Sequence, residues 1–295
     1  MVESMIRGSI VALVTPMHDD GSIDGEALDR LVDWHIEAGT DAIVAVGTTG
    51  ESATLSVEEH LAVISQVVGR VAGRIPVIAG TGANATSEAI VLTQAAEGAG
   101  ADACLSVVPY YNKPTQAGLR AHFEAIAKAT SIPVILYNVP GRTGCDLRPE
   151  TVAALSGVAG ITGIKEASGT LERMQVLRER CGPEFAIYSG EDGIAAAAML
   201  GPADGVVSVT ANVAPQAMSE LARRALAGDG ERVSALDHTL QPLHAALFLE
   251  SNPIPVKWAV HALGRIPAGI RLPLTPLSAE YHASVKAALA ALGRP

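Results

Sequence analysis

Lys165 is the residue of this 295-residue chain whose type and position point most directly to chemistry. It ends the apolar segment Gly-Ile-Thr-Gly-Ile-Lys, in a chain with five lysines. A partly desolvated lysine loses its proton more readily, and a neutral amine can attack a carbonyl carbon, as Schiff-base catalysis requires. The alternative is a lysine that extends to solvent or pairs with Glu166 or Glu191. Tyrosines at the neighbouring segment ends favour the nucleophile.

Polar residues at the ends of other apolar segments could assist such an amine. Tyr137 could move a proton to or from Lys165, or it could be a buried tyrosine whose hydroxyl satisfies a backbone group. Thr48 and Thr49 lie between glycines, where hydroxyls and backbone N–H groups could hold a carboxylate or simply cap a turn. Arg142, in a Pro-Gly loop, is suited to bidentate binding of a second carboxylate, although an isolated arginine is more often a surface residue.

Other motifs are weaker. GTGANA at 80–85 matches the dinucleotide-binding pattern, but the acidic residue about 20 positions on, Asp102, stands at the start of an apolar segment instead of its end. His60 is predicted to lie on a helix surface, and the histidines show no spacing typical of a metal site. The sequence contains no P-loop and no nucleophile-elbow motif. The remaining lysines are predicted to be solvated charges: Lys113, Lys128, Lys257 and Lys286.

The elements that must position these residues are eight short apolar segments alternating with longer segments of helical periodicity. The predicted strands cover 9–14, 42–46, 75–80, 102–108, 132–138, 161–165, 185–189 and 205–209. Strands that are apolar throughout, each followed by a helix, predict an α/β fold with a covered parallel sheet. Eight such units predict a TIM (β/α)8 barrel over residues 1–228, with a doubly wound open sheet as the alternative. Active sites of TIM barrels lie where the strands end.

The strand pattern stops after Gly228. Three helix-like stretches at 231–250, 252–263 and 278–292 predict a C-terminal helical domain over residues 229–295. Asn252 followed by Pro253 predicts a helix N-terminus with proline at its first position. Ser56 and Glu59 have the spacing of a capping box for a helix that follows the second strand.

Composition argues against several classes of protein. The chain has 21 Lys+Arg and 31 Asp+Glu, a net charge of −10, which is opposite to the basic surface that a nucleic-acid partner requires. Apolar stretches end well before the ~20 residues of a membrane-spanning helix, and the N-terminus lacks a signal-peptide layout. Cys104, Cys145 and Cys181 form no C-x-x-C pair and suit a reducing compartment. We therefore expect a cytoplasmic protein without nucleic-acid or membrane partners.

Five motifs, in this order, resemble the bacterial dihydrodipicolinate synthase family of the N-acetylneuraminate lyase superfamily. They are GTTGES, PYYNKP, YNVPGRTG, GIKEASG and SVTANVAP. The resemblance covers essentially the whole chain. It implies a lyase that condenses pyruvate with L-aspartate 4-semialdehyde on the diaminopimelate route to lysine. Another pyruvate-dependent class I aldolase of the superfamily is the alternative. Thr48 and Arg142 favour the synthase, since N-acetylneuraminate lyase has a serine at the second residue of the Gly-Thr-Thr-Gly-Glu turn and lacks the arginine loop. A nucleotide-binding oxidoreductase or a non-catalytic relative is a hypothesis of a different class.

The resemblance also implies roles for individual residues. Lys165 would form the Schiff base with pyruvate. Tyr137 would relay protons, with Thr48 and with Tyr111, which in the family reaches across a dimer interface into the neighbouring active site.

The same resemblance implies how the substrates are bound. Thr49 would bind the pyruvate carboxylate, Val207 would contribute a backbone carbonyl contact, and Arg142 would bind the carboxylate of the semialdehyde. No metal or organic cofactor is implied, since the lysine is the electron sink. The implied assembly is a homotetramer built as a dimer of dimers.

Many family members are inhibited by lysine in a cleft at the dimer interface. The matching positions are Ser52, Ala53, His60, Asn84, Glu88 and Tyr110. Position 57 is valine, whereas strongly regulated relatives tend to have a polar residue there. We therefore predict weak or absent inhibition by lysine.

Overall fold

Eight parallel strands close into a barrel in the computed structural model, which describes residues 5–293. The strands are β1 (Gly8–Ala12), β2 (Ala42–Ala45), β3 (Val77–Gly80), β4 (Ala103–Val107), β5 (Val134–Asn138), β6 (Ile161–Glu166), β7 (Ala186–Ser189) and β8 (Gly205–Ser208). Each strand pairs with the next along the chain, and β8 pairs with β1, where Ser9 lies opposite Val206. The eight predicted strands and the TIM barrel are confirmed. The open-sheet alternative is wrong, because an open sheet leaves two strands with an unpaired edge.

Helices cover the outside of the barrel and continue after it. They are α1 (Gly25–Glu37), α2 (Val57–Val71), α3 (Thr86–Gly98), α4 (Gln116–Lys128), α5 (Pro140–Thr143), α6 (Pro149–Leu155), α7 (Leu171–Cys181), α8 (Asp192–Met199), α9 (Pro215–Leu226), α10 (Gly230–Ala246), α11 (Ile254–Ala262) and α12 (Ala279–Ala290). Helix α10 packs against α8, α9 and α12. Among residues 5–293, we find no helix that combines the length and apolar character needed to cross a bilayer.

Strand residues alternate between two apolar cores. In β1, Ile10 and Ala12 pack with Val44 in a cluster formed by inward-facing strand residues, the barrel interior. Val11 and Ile43 instead pack with the surrounding helices. Because both faces of the strands are buried, their sequences are continuously apolar instead of alternating.

Local sequence sets the helix boundaries near the candidate site. Helix α2 begins with the predicted capping box, in which the Ser56 side chain accepts from Glu59 N and the Glu59 carboxylate accepts from Ser56 N. The predicted start of α11 is wrong by one residue, since Pro253 is the N-cap and its carbonyl accepts the first helical hydrogen bond from Lys257 N. The physical reason is that the Asn252 side chain is hydrogen-bonded elsewhere.

Candidate active site

A cavity opens at the carboxyl ends of the barrel strands. Five residues that the sequence singles out as candidates line it together: Thr48, Thr49, Tyr137, Arg142 and Lys165. They come from the ends of three strands, β2, β5 and β6, and from the loops that follow. The closed barrel therefore brings together side chains that lie up to 117 positions apart in the sequence.

Lys165 and Tyr137 lie side by side on adjacent strands. They are directly opposite in the β5–β6 register, and Lys165 Nζ lies 4.3 Å from the centroid of the Tyr137 ring. Lys165 is only 7% exposed. The face of an aromatic ring stabilises a positive charge on a nearby nitrogen without a salt bridge. This environment suits a group that alternates between amine and iminium.

The alternative reading of Lys165 as an ion-paired lysine does not match the geometry. The Glu166 carboxylate faces away from the cavity, accepting from Asn138 Nδ2 and from Ser168 N at 2.8 Å. Within residues 5–293, Lys165 makes no ion pair with Glu166 or Glu191.

Glu191 contributes a carboxyl group to the same cavity. Burial raises its pKa, and the neighbouring charge of Asp192 raises it further, whereas Lys165 and Arg142 act in the opposite direction. The sequence predicts for Glu191 only a possible ion pair with Lys165, and not a place in the wall of the cavity.

The threonine turn follows β2 as a short 3-10 helix, Thr48–Gly50, in a strained backbone. Val46 before it has φ 55° and Glu51 after it has φ 60°. Positive φ is costly for a non-glycine residue, and most of all for a β-branched one. A Cβ on Gly80 would lie 2.3 Å from Val46 O, so the turn also depends on glycine in the neighbouring strand.

Contacts from distant parts of the chain hold this turn in place. Thr15 Oγ1 donates to Gly50 O at 2.7 Å, and Asn252 Nδ2 donates to Thr49 Oγ1 at 2.9 Å. The Glu51 carboxylate pairs with Lys257 Nζ and accepts from Arg271 N at 3.2 Å. The turn is thus fixed by residues that no local sequence motif connects to it.

The prediction that Lys257 is a solvated charge is wrong. Lys257 is 3% exposed, and its partner Glu51 is 206 residues away in the sequence. Burial lowers the pKa of Lys257, and the Glu51 charge and hydrogen bond oppose that shift. Its place in the short helix after Asn252-Pro253 gave no indication of burial, because the neighbouring strand-end loop that covers it is remote in sequence.

Arg142 lies in α5, above the end of β5. One guanidinium nitrogen donates to Asn252 O at 3.2 Å. The side chain lines both the cavity that contains Lys165 and a second cavity beside it. An arginine held at one nitrogen keeps its other donors available for a carboxylate.

Two other candidates lie away from the cavity wall. The Val207 side chain packs in the barrel interior, and Val209, two residues on, lines the cavity instead. Tyr111 is 89% exposed with φ 73°, and its backbone N–H donates to Thr143 O. A bulky exposed aromatic held in the left-handed region is the kind of outlier that functional sites retain.

A second cavity adjoins the first and shares Thr48, Ser52 and Arg142 with it. Five of the six residues matched to the lysine cleft line it: Ser52, Ala53, His60, Glu88 and Tyr110. Asn84 does not; its carbonyl accepts from Asn112 Nδ2 at 2.8 Å.

The prediction that His60 lies on a helix surface is wrong. His60 is buried, its Nε2 lies 2.7 Å from Gly80 O, and burial lowers its pKa although Gly80 and Glu88 raise it. The signal was in the sequence, because His60 lies three and four positions before Val63 and Ile64, on the buried stripe of α2.

Comparison with known proteins adds an independent finding. Residues 5–292 match the model of the dihydrodipicolinate synthetase family. The chain is 61% identical to 4-hydroxy-tetrahydrodipicolinate synthase of Cellvibrio japonicus over 98% of this chain and 100% of the relative. It is 60% identical to the protein of the same name from Pseudomonas aeruginosa, over 98% and 99%. The crystal structure of the chloride-inhibited dihydrodipicolinate synthase from Acinetobacter baumannii, complexed with pyruvate, matches with a TM-score of 0.98 and 54% identity, over 99% and 100% of the two chains.

Proposed function

Because the chain belongs to the dihydrodipicolinate synthetase family, we propose that Lys165 is the Schiff-base nucleophile of its active site. The protein is a lyase of the class I aldolase type, a 4-hydroxy-tetrahydrodipicolinate synthase that condenses pyruvate with L-aspartate 4-semialdehyde. The observation that carries the proposal for Lys165 is its position at the end of β6, beside Tyr137, in the wall of the strand-end cavity.

In the first half-reaction, Lys165 Nζ attacks the keto carbon of pyruvate, and loss of water leaves an iminium. Removal of a proton from the adjacent methyl group converts the iminium to an enamine, for which the protonated nitrogen is the electron sink. We assign the proton transfers to Tyr137, on the next strand, in a relay with Thr48 and Tyr111. The lysine supplies the electron sink, so the proposed mechanism uses no metal or organic cofactor.

In the second half-reaction, the enamine carbon attacks the aldehyde carbon of the semialdehyde and forms the new carbon–carbon bond. The amino group of the semialdehyde then attacks the iminium carbon, and the bond to Lys165 Nζ breaks as the ring closes. The enzyme must therefore hold two carboxylates at once. We propose that Thr49 and the Val207 carbonyl hold pyruvate, and that Arg142 holds the semialdehyde carboxylate. Since the net charge is −10, these local groups and not the overall field must capture the substrates.

The experiment that tests this proposal is a coupled assay of pyruvate consumption with L-aspartate 4-semialdehyde, run in parallel with N-acetylmannosamine. We expect turnover only with the semialdehyde. Turnover with the sugar alone would favour the other aldolases of the superfamily, and tight binding of NADH in a titration would favour the oxidoreductase hypothesis.

We also propose a cytoplasmic homotetramer built as a dimer of dimers, with a barrel domain at 1–228 and a helical domain at 229–295. Two separate groups of exposed apolar residues support two kinds of interface. The first group lies around the second cavity and consists of Val57, Tyr110, Tyr111 and Leu272. The second group lies near the amino ends of the strands and consists of Leu200 and Leu226.

Mixing two inactive variants tests whether Tyr111 acts across an interface. Subunits with Lys165→Ala and subunits with Tyr111→Phe are combined under conditions that exchange subunits. If Tyr111 serves the partner's site, half of the sites in hybrid dimers are intact, and activity recovers to roughly a quarter of the unmodified level. Mixing Lys165→Ala with Tyr137→Phe is the control, since Tyr137 belongs to the same subunit as its Lys165. No recovery in the first mixture would place Tyr111 outside the partner's site.

Lysine is expected to inhibit weakly or not at all. The second cavity presents Ser52, His60, Glu88 and Tyr110, which suit an amino-acid ligand, but Val57 on its wall offers no hydrogen bond or charge to the ligand's ammonium groups. The measurement is initial velocity against lysine concentration at fixed pyruvate and semialdehyde. Strong inhibition at micromolar lysine would contradict the prediction.

A further inference from the structure

Asn252 joins the two groups proposed to bind carboxylates. Its side-chain Nδ2 donates to Thr49 Oγ1 at 2.9 Å, and its backbone oxygen accepts from the Arg142 guanidinium at 3.2 Å. Asn252 is 6% exposed and lines both cavities. The sequence marks Asn252 only as the predicted N-terminus of a helix, and the proposed mechanism assigns it no role.

The bonding of Asn252 is unfavourable for a residue with a purely structural role. An asparagine before a helix ordinarily caps it, but Pro253 is the N-cap of α11 and the Asn252 amide points to Thr49 instead. Its Oδ1 is buried and has no hydrogen-bond partner among residues 5–293. A buried acceptor without a partner costs stability, so the position of the Asn252 amide calls for a physical explanation.

The contact to Thr49 has a direct chemical consequence. Because Asn252 Nδ2 donates to Thr49 Oγ1, the hydroxyl oxygen acts as an acceptor there and its own hydrogen remains free to donate to a ligand in the cavity. The contact to Arg142 restrains a long, exposed side chain at one nitrogen and leaves the other donors free. One residue thus orients a donor in each of the two carboxylate-binding positions.

We propose that Asn252 is a positioning residue that keeps Thr49 and Arg142 at a fixed separation, so that both substrate carboxylates are held in register for carbon–carbon bond formation. This inference rests on the proposed function, because it takes Thr49 and Arg142 as the substrate-binding groups. It extends that function to the segment between α10 and α11, which lies outside the barrel strands. Since small displacements of bound reactants slow a reaction strongly, the link acts on catalysis without touching the reacting atoms.

Asn252→Leu tests the proposal, because leucine is close to asparagine in size and removes both the donor and the unpartnered oxygen. We expect kcat/KM for pyruvate to fall by about tenfold or more, and kcat/KM for the semialdehyde to fall less, because the backbone oxygen that holds Arg142 remains in the variant. The melting temperature should stay unchanged or rise, since a buried unpartnered oxygen is removed. Gln241→Leu is the matched control, because the Gln241 amide likewise donates to a residue distant in sequence, Gly193 O at 2.9 Å, but lies outside both cavities. It should leave both KM values unchanged.

A double-variant cycle shows whether Asn252 acts through Thr49. In a Thr49→Val background, Asn252→Leu should raise the KM for pyruvate by much less than it does alone, because the shared contact is already lost. Additive effects on the KM for pyruvate would overturn the proposal, as would unchanged KM values in the single variant or a lower melting temperature as its only effect.

Borohydride reduction with pyruvate separates this proposal from the proposed function. Unmodified enzyme and Asn252→Leu should both carry the reduced pyruvate adduct on Lys165 at saturating pyruvate. If the unmodified enzyme shows no adduct, the Schiff-base function fails and the Asn252 inference fails with it. If the adduct forms in both and the KM values are equal, the Asn252 inference alone is wrong.

Discussion

Lys165→Ala will lower the rate of condensation by roughly a thousandfold or more, as removal of a covalent nucleophile does in other enzymes. Without the amine, pyruvate cannot be held as an iminium, and the methyl carbon has no electron sink when its proton is removed. Lys165→Arg should be nearly as inactive, because arginine does not lose its proton under these conditions and forms no Schiff base.

The covalent step can be measured separately from turnover. Incubation with pyruvate and borohydride followed by peptide mapping should place a reduced adduct on the peptide that contains Lys165. Lys128→Ala is the matched control, since Lys128 is an exposed lysine at the end of α4 and its loss should change neither the adduct nor the rate. An adduct on another lysine, or none in the unmodified enzyme, would contradict the assignment.

The surroundings of Lys165 explain why this lysine of the five is suited to the role. It lies in the wall of a cavity at the end of a barrel strand, with the Tyr137 ring against its nitrogen and with no ion pair to a carboxylate within residues 5–293. Lys257, the other buried lysine, is locked in an ion pair with Glu51. Burial alone therefore does not mark a nucleophile, and the difference between the two lies in their partners.

The barrel could be predicted because each of its strands leaves a recognisable pattern in the local sequence. Each strand is buried on both faces, so each appears as a continuous apolar segment, and eight of them followed by helices leave few other folds. The candidate site followed from the same logic, since Thr48, Tyr137 and Lys165 each end such a segment and the closed barrel places all ends on one side. The burial of His60 could also have been predicted, because His60 falls on the buried stripe of α2.

The contacts that hold the site residues in place could not be predicted, because they join residues that are distant in sequence. Asn252 lies 203 residues from Thr49, and Lys257 lies 206 from Glu51. Nothing in the local sequence distinguishes a lysine on a helix surface from one covered by a remote loop. The positive φ of Val46 likewise cannot be predicted from sequence, since a β-branched residue such as valine rarely adopts it.

Lys257→Met is expected to destabilise the protein by about 3–5 kcal/mol, because it leaves the Glu51 carboxylate buried without its ion-pair partner. The Glu51 side chain is fully buried, and its remaining hydrogen bond among residues 5–293 is from Arg271 N at 3.2 Å. Methionine is close to lysine in volume, so the loss of charge and not a cavity accounts for the effect. The measurement is the free energy of unfolding from urea denaturation at fixed protein concentration.

Two further variants show whether charge is the cause. Glu51→Gln combined with Lys257→Met removes both charges and should recover most of the lost stability, since replacing a whole buried pair costs far less than breaking it. Arg70→Met breaks the exposed pair with Asp33 and should cost far less stability than Lys257→Met, because water and salt screen an exposed pair.

The same pair connects stability with catalysis. Glu51 has φ 60° immediately after the threonine turn, so a carboxylate that moves toward water in Lys257→Met would release the backbone strain and shift Thr48 and Thr49. We therefore expect the KM for pyruvate to rise in Lys257→Met under conditions where it is still folded, and to return toward the unmodified value in the double variant. If the single and double variants lose equal stability, Lys257 does not stabilise the fold by neutralising the buried charge of Glu51.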